Sequence, residues 1–169
     1  MIRLVIALFG GFHVELDGET VHDFRTNRAR ALLAYLAIEA GRTHARDRLA
    51  AFLWPDVAPA AALQSMRQTI YALRQALGDA DADVLHVTRA EVRLAGAPQV
   101  SCDVTRFRRY LAAGALADAV ALYHGDLLAG FDTGSAPLEN WLAAVREQCH
   151  RQALDALETA LYRPQIETI

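Results

Sequence analysis

The sequence predicts an α+β chain in which a small antiparallel sheet, three helices and a β-hairpin precede an all-helical region. Three observations carry that reading. Ile2 to Phe9 is a β-rich run ended by Gly10-Gly11, and the alternating stretch Phe12 to Leu16 stops at Asp17-Gly18, a strong short-range hairpin signal. In residues 60–77, Leu63, Met66, Ile70, Leu73 and Leu77 recur at three- and four-residue spacing, which a helix gathers into one apolar stripe. Residues 84–94 alternate on either side of Arg89-Ala90-Glu91, whereas the chain beyond residue 99 carries helical spacing.

Taken in order, Thr20 and Val21 supply the strand that returns after Asp17-Gly18. Asn27 to Ala40 then forms the first helix, with Leu32, Leu33, Leu36 and Ala37 on one side, Asn27 as its cap and Gly41 as its stop. Arg25, Arg28 and Arg30 crowd its start, where positive charge opposes the helix dipole and calls for a compensating partner, either a phosphate or a carboxylate such as Asp23 or Asp47. A second helix runs from Arg46 to Leu53, with Leu49, Phe52 and Leu53 inward and Pro55 closing it. Trp54 follows as a core or loop anchor.

The helix at 60–77 has an unusual outer face. Gln64, Arg67, Gln68, Tyr71, Arg74 and Gln75 lie opposite the apolar stripe, all long side chains able to donate hydrogen bonds, with no acidic residue to repel phosphate. A plain solvated helix more often mixes Glu with its Arg, for the support of i,i+4 pairs. Gly78 ends the helix, Asp79 to Asp83 reads as an acidic loop, and the hairpin over 84–94 carries Arg89 at its tip and Arg93 on its outward side. A hairpin beside a groove-sized helix is suited to gripping DNA at two levels.

Gly96-Ala97-Pro98 breaks the pattern and divides the chain into residues 1–98 and 99–169. In the second unit Val104, Phe107 and Leu111 share one helical face, and Leu116, Val120 and Tyr123 share another. A long helix from Leu138 to Tyr162 presents Leu142, Val145, Cys149, Ala153, Leu157 and Leu161.

Bulk properties narrow the function. The chain has 169 residues, 53% of them hydrophobic, and a formal charge of -3. A real core is expected, and a general polyanion binder is not. Charge is unevenly placed: residues 1–98 hold 11 Arg against 11 Asp or Glu, and residues 99–169 hold 6 Arg against 9 Asp or Glu. Cys102 and Cys149 belong to no metal-binding or disulfide pattern, and the histidines at 13, 22, 44, 86, 124 and 150 lack metal spacing. No serine or cysteine has an evident triad, and no Gly-rich loop leads to a phosphate-binding Lys, since the chain has no lysine. No enzyme, cofactor, metal or membrane partner is expected. The opening apolar run is too short to span a bilayer and lacks the flanks of a signal peptide, so the chain reads as cytoplasmic.

The stretches FGGFHVELDG, RARALLAYLAIEAGR, RDRLAAFLWPD and SMRQTIYALRQALG, followed by RAEVRL, resemble the winged-helix domain of the Streptomyces antibiotic regulatory protein (SARP)-like family of transcriptional activators. That domain is similar to the OmpR-type winged helix. VTRFRRYL, ALYHGDLLAGF and ENWLAAVREQ resemble the first part of the bacterial transcriptional activation domain that follows it, an all-helical, tetratricopeptide-like domain. The resemblance implies an N-terminal winged helix-turn-helix at 1–98 and a partial activation domain at 99–169, in a fragment or a shortened member. It implies DNA contacts from Gln64, Arg67, Gln68, Tyr71, Arg74 and Gln75 on the reading helix, from Arg89 and Arg93 on the wing, and from Arg46. It also places Trp54 to Pro59 in the loop that meets transcription machinery. Ala45 stands where the family commonly caps the second helix, with Thr43 as the substitute.

The implied partners are double-stranded DNA, RNA polymerase, and a second copy of the chain or further domains of a larger parent. Leu154, Leu157 and Leu161 are the candidate association residues. The competing expectation is a protein-interaction module that keeps the fold with little DNA affinity, motivated by the zero net charge of residues 1–98.

Overall fold

The structure, a computed structural model, describes residues 1–166, with side chains described through Tyr162; the end of the expected 99–169 unit lies outside the described residues. β1 (Leu4–Ala7) and β2 (His13–Leu16) pair antiparallel, with Leu4 opposite Leu16. Asp17 and Gly18 both take positive φ, 49° and 87°, the geometry a tight two-residue hairpin needs, and β3 (Glu19–Thr20) returns along β2.

α1 (Asn27–Ile38) is capped one residue earlier than expected. Thr26, still extended, accepts the Ala29 N–H at 3.2 Å, whereas Asn27 is already helical and donates its amide to the Asp132 carbonyl. Gly41, at φ 84°, turns the chain into β4 (His44–Ala45), which leads directly to α2 (Arg46–Leu53). No side chain caps α2 from Ala45, and Asp47 in its first turn takes up the Arg48 N–H instead.

α3 (Pro59–Leu77) starts on a proline suited to a first helical turn. Residues 79–83 are not the expected loop: a 3₁₀ turn (Gly78–Ala80) and α4 (Asp81–Val84) occupy them. The reason is that Ala80 and Val84 are fully buried and hold the segment against the core, while Asp81 and Asp83 sit favourably in the first turn of α4. β5 (Leu85–Val87) and β6 (Glu91–Leu94) form the hairpin, and β4 adds to it in the order β4-β6-β5.

Val100–Cys102 forms β7, parallel to β1, with Leu4 opposite Val100. The first sheet is therefore mixed, in the order β3-β2-β1-β7, where an antiparallel sheet and a helical start to the second unit were expected. α5 (Asp103–Ala112), α6 (Leu116–Leu122) and α7 (Ala136–Ile166) follow and pack in sequence. The architecture is thus a winged-helix-like β/α region followed by an α-helical bundle.

One core joins them. Leu32, Leu33 and Leu36 of α1, Met66, Leu73 and Leu77 of α3, Leu4 and Ile6 of β1, and Phe107 of α5 are all essentially inaccessible to solvent. Leu63 departs from the expected stripe and is 38% exposed. It lies in the first turns of α3 opposite the Trp54–Ala58 turn, where α2 has already ended, and Ala62 is buried there in its place.

The helical bundle is fastened to the β/α region by polar groups as well as by packing. Buried Asp103 accepts the N–H groups of Leu8 and Phe9, each at 2.9 Å, tying the end of β1 to the start of α5. Burial pushes its carboxyl above the usual range, partly offset by these donors. Of the crowded arginines at α1, Arg28 donates to the carbonyls of Leu53 and Gly134, lies over the Trp54 ring and feels the Asp132 carboxylate, so its compensation comes from these groups and not from Asp23 or Asp47. Ser135 Oγ donates to the Phe52 carbonyl at 2.7 Å, and Tyr35 meets Trp141 edge-on at 4.7 Å.

Candidate nucleic-acid interface

The 3.6-residue repeat places Gln64, Arg67, Gln68, Tyr71, Arg74 and Gln75 together on the solvent side of α3, and every one of them is exposed. The opposite side is anchored by Met66, Ile70, Leu73 and Leu77, so the exposed face is carried on a rigid element. Arg67 donates to Gln64 Oε1 at 2.7 Å, one turn away, which holds two long side chains side by side. Arg74 is partly neutralised by Asp81 of α4 at 3.3 Å. The sequence gives no signal for this role of Asp81, because the contact depends on residues 81–84 being helical and not a loop.

The hairpin is set against this helix by its turn and by Arg46. Thr88 Oγ1 accepts the N–H groups of Ala90 and Glu91, at 3.3 and 3.0 Å, and so shapes the tip that exposes Arg89. Arg46 donates its side chain to the Thr88 carbonyl and its backbone N–H to the Ala90 carbonyl, each at 2.9 Å. Partial burial lowers the Arg46 pKa, and the positive charges of Arg67 and Arg74 lower it further, so the Arg46 guanidinium lies within the fields of both. Arg93, half-buried, sits opposite His86 in the β5–β6 ladder.

The structure therefore brings Arg46, Arg67, Arg74 and the wing tip with Arg89 into one neighbourhood, with Gln64, Gln68, Tyr71 and Gln75 along the helix and Arg93 further down the wing. Such an array can meet a polyanion through guanidinium groups and read polar edges through amides and a phenol. Trp54 lies outside this array. It is half-buried beneath Arg28 and lines a shallow hollow with Val57 and Leu63, both exposed apolar residues. Leu154, Leu157 and Leu161 are 47%, 42% and 63% exposed on the last turns of α7, whereas Leu142, Val145, Cys149 and Ala153 earlier in the same expected column are buried. Among the described residues no cluster of His, Cys, Asp or Glu is arranged to hold a metal, and no helix is long and apolar enough to cross a membrane.

No family model matches the chain. The curated relatives are the transcriptional regulatory proteins EmbR of Mycobacterium bovis and of two Mycobacterium tuberculosis strains. Each is 29% identical over 172 residues, covering 97% of this chain and 42% of the relative. The chain thus spans less than half the length of the curated relatives it matches. Among solved structures, Mycobacterium tuberculosis EmbR in complex with a low-affinity phosphopeptide superimposes with a TM-score of 0.68 at 24% identity, over 99% of this chain and 50% of that one, which shows a shared fold. Over almost its whole length the chain is thus similar in sequence and in fold to the transcriptional regulatory protein EmbR.

Proposed function

We propose that the chain binds double-stranded DNA sequence-specifically as the DNA-binding and adjoining regulatory part of a cytoplasmic transcription activator. The observation that carries this reading is the exposed, acid-free face of α3 flanked by Arg46 and the wing tip. In this mechanism α3 enters the major groove with Gln64, Arg67, Gln68, Tyr71, Arg74 and Gln75, and Arg89 and Arg93 hold the phosphate backbone from the wing. Residues 1–98 act as the winged helix, and residues from 99 onward act as part of a tetratricopeptide-like activation domain. The exposed hollow at Trp54, Val57 and Leu63 serves as the contact to RNA polymerase. A second copy associates through α7, because one winged helix covers too little DNA for tight, selective binding.

Titration of salt against a mixed-sequence duplex tests the proposal. Binding at low salt that weakens steeply towards moderate salt is the expected result, since each neutralised phosphate releases counterions. No binding at low salt, or binding indifferent to salt, overturns it.

A second reading, a protein-interaction module with the same fold and little DNA affinity, draws on the ion pair between Arg74 and Asp81 and on Glu91 at the wing, both of which dilute the positive field. The same titration separates the two readings.

A further inference from the structure

A groove of about 740 Å³ opens between the free edge of β7 and the outer side of α5, and it shares no residue with the α3 and wing face. Ile2, Pro98 and Val100 give it an apolar wall, and Arg106, Arg109 and Tyr110 form the opposite one. Both guanidinium carbons lie against the Tyr110 ring, at 6.0 and 5.9 Å from its centroid, so one aromatic side chain gathers two positive charges at the groove. Among the described residues neither arginine is paired with a carboxylate. Arg108, between them in sequence, behaves differently: it turns inward and donates to the Ile38 carbonyl at 2.9 Å. β7 is an edge strand, paired only with β1 in its sheet; the Gly96 carbonyl takes its Val100 N–H and the Thr105 hydroxyl its Cys102 carbonyl, which leaves the Val100 carbonyl and the Cys102 N–H as the outward groups to receive a further strand.

We propose that this groove is a docking site for an acidic peptide segment of a partner protein, which lies extended along β7 with its carboxylates on Arg106 and Arg109 and an apolar side chain against Ile2 and Pro98. Charge chooses the partner. Two unpaired arginines on an otherwise acidic half of the chain complement carboxylates spaced two residues apart, the period at which a strand presents side chains to one face. An apolar wall along a strand edge suits a peptide better than it suits a DNA backbone, whose phosphates gain nothing from Ile2, Pro98 or Val100.

The probe is a fluorescein-labelled peptide of alternating Glu and Val, titrated into the full chain at low salt, with an alternating Gln and Val peptide as the neutral control. Saturable binding of the acidic peptide is expected, together with amide shifts at Val100–Cys102 in an NMR titration. The double substitution Arg106→Gln/Arg109→Gln, at one half-buried and one exposed position, is expected to weaken binding by about tenfold or more with unchanged circular dichroism and unchanged affinity for duplex DNA. Four results overturn the proposal: no binding by the parent chain; equal binding by the double variant; equal binding of the neutral peptide; or a loss confined to Arg67→Ala/Arg74→Ala, which places the peptide on α3. Displacement of the peptide by a short duplex that still binds the Arg67→Ala/Arg74→Ala variant also overturns it, in favour of nucleic acid in the groove.

Discussion

The Arg46 guanidinium donates to the Thr88 carbonyl at 2.9 Å, so the first residue of α2 grips the tip of the hairpin that exposes Arg89. This bond, with the backbone bond from Arg46 to Ala90, fixes how far the wing stands from α3. Arg46 is therefore a positioning residue for the wing as well as a positive group beside Arg67 and Arg74. Arg46→Gln is expected to lower affinity for specific and non-specific duplexes alike, by about three- to tenfold, because it loosens a backbone clamp and removes one charge. Fluorescence anisotropy against both duplexes checks this; an effect on one sequence only shows that Arg46 reads a base.

Asp81 holds back part of the field of α3 through its contact with Arg74. Asp81→Asn frees that guanidinium, and the variant is expected to bind DNA about two- to fivefold more tightly at low salt, with a salt slope steeper by about one counterion. Unchanged or weaker binding in a folded variant means that Asp81 orients Arg74 usefully and does not merely neutralise it.

His44 packs edge-on against Tyr35, and its buried Nε2 has no hydrogen-bond partner among the described residues. Burial holds its pKa below the usual histidine value, opposed by Glu39 and reinforced by Arg42. A depressed folded-state pKa means the unfolded chain takes up the proton first. The neutral ring thus contributes stability that is present above the unfolded histidine range and is lost as pH falls through it towards the lower folded value. His44→Phe keeps a ring and removes the titration. Its melting temperature is expected to match the parent near pH 7.5 and to exceed it near pH 5, measured by thermal denaturation at both; a parallel decline in both proteins removes His44 from the account.

α7 buries its apolar column through Ala153 and Ala156 and exposes Leu154, Leu157 and Leu161 beyond. A concentration-dependent dimer through residues 138–161, coexisting with monomer at micromolar protein, is expected from sedimentation equilibrium over a wide concentration range. Leu157→Asp should abolish it without unfolding the chain. A strictly monomeric parent eliminates the dimer, and a dimer that survives the substitution moves the interface elsewhere, to the sheet around Ile2 to Phe12.

What the sequence made legible follows how local each feature is. The α3 face was readable because period and composition lie within nineteen consecutive residues, and the β2–β3 turn because Asp17-Gly18 tolerates positive φ. β7 was not readable: three residues pair with a strand nearly a hundred positions away and then enter a helix without a break. Thr26 and Asn27 are both good caps in isolation, and the choice fell to Thr26 because the Asn27 amide is held by a carbonyl of the helical bundle. The clamp of Arg28 on Leu53 and Gly134 had no sequence signal for the same reason. Leu63 kept the period of the stripe but lost its partner where α2 ends. Along the candidate interface, exposure of the six α3 side chains matched the pattern, whereas the neutralising Asp81 and the anchoring of Arg46 on the wing are contacts between segments that no spacing announces.

Whether the outer face of α3 binds DNA is decided by duplex affinity at low salt for the parent, Arg67→Ala, Arg74→Ala and Met66→Ala. Arg67 and Arg74 are exposed and Met66 is fully buried, so truncation separates contact from packing. Each arginine variant is expected to lose affinity by roughly tenfold with an unchanged melting temperature. Met66→Ala instead loses about 2–5 kcal/mol of stability and, where it remains folded, keeps most of its affinity. Arginine variants that bind as tightly as the parent contradict the assignment of this face.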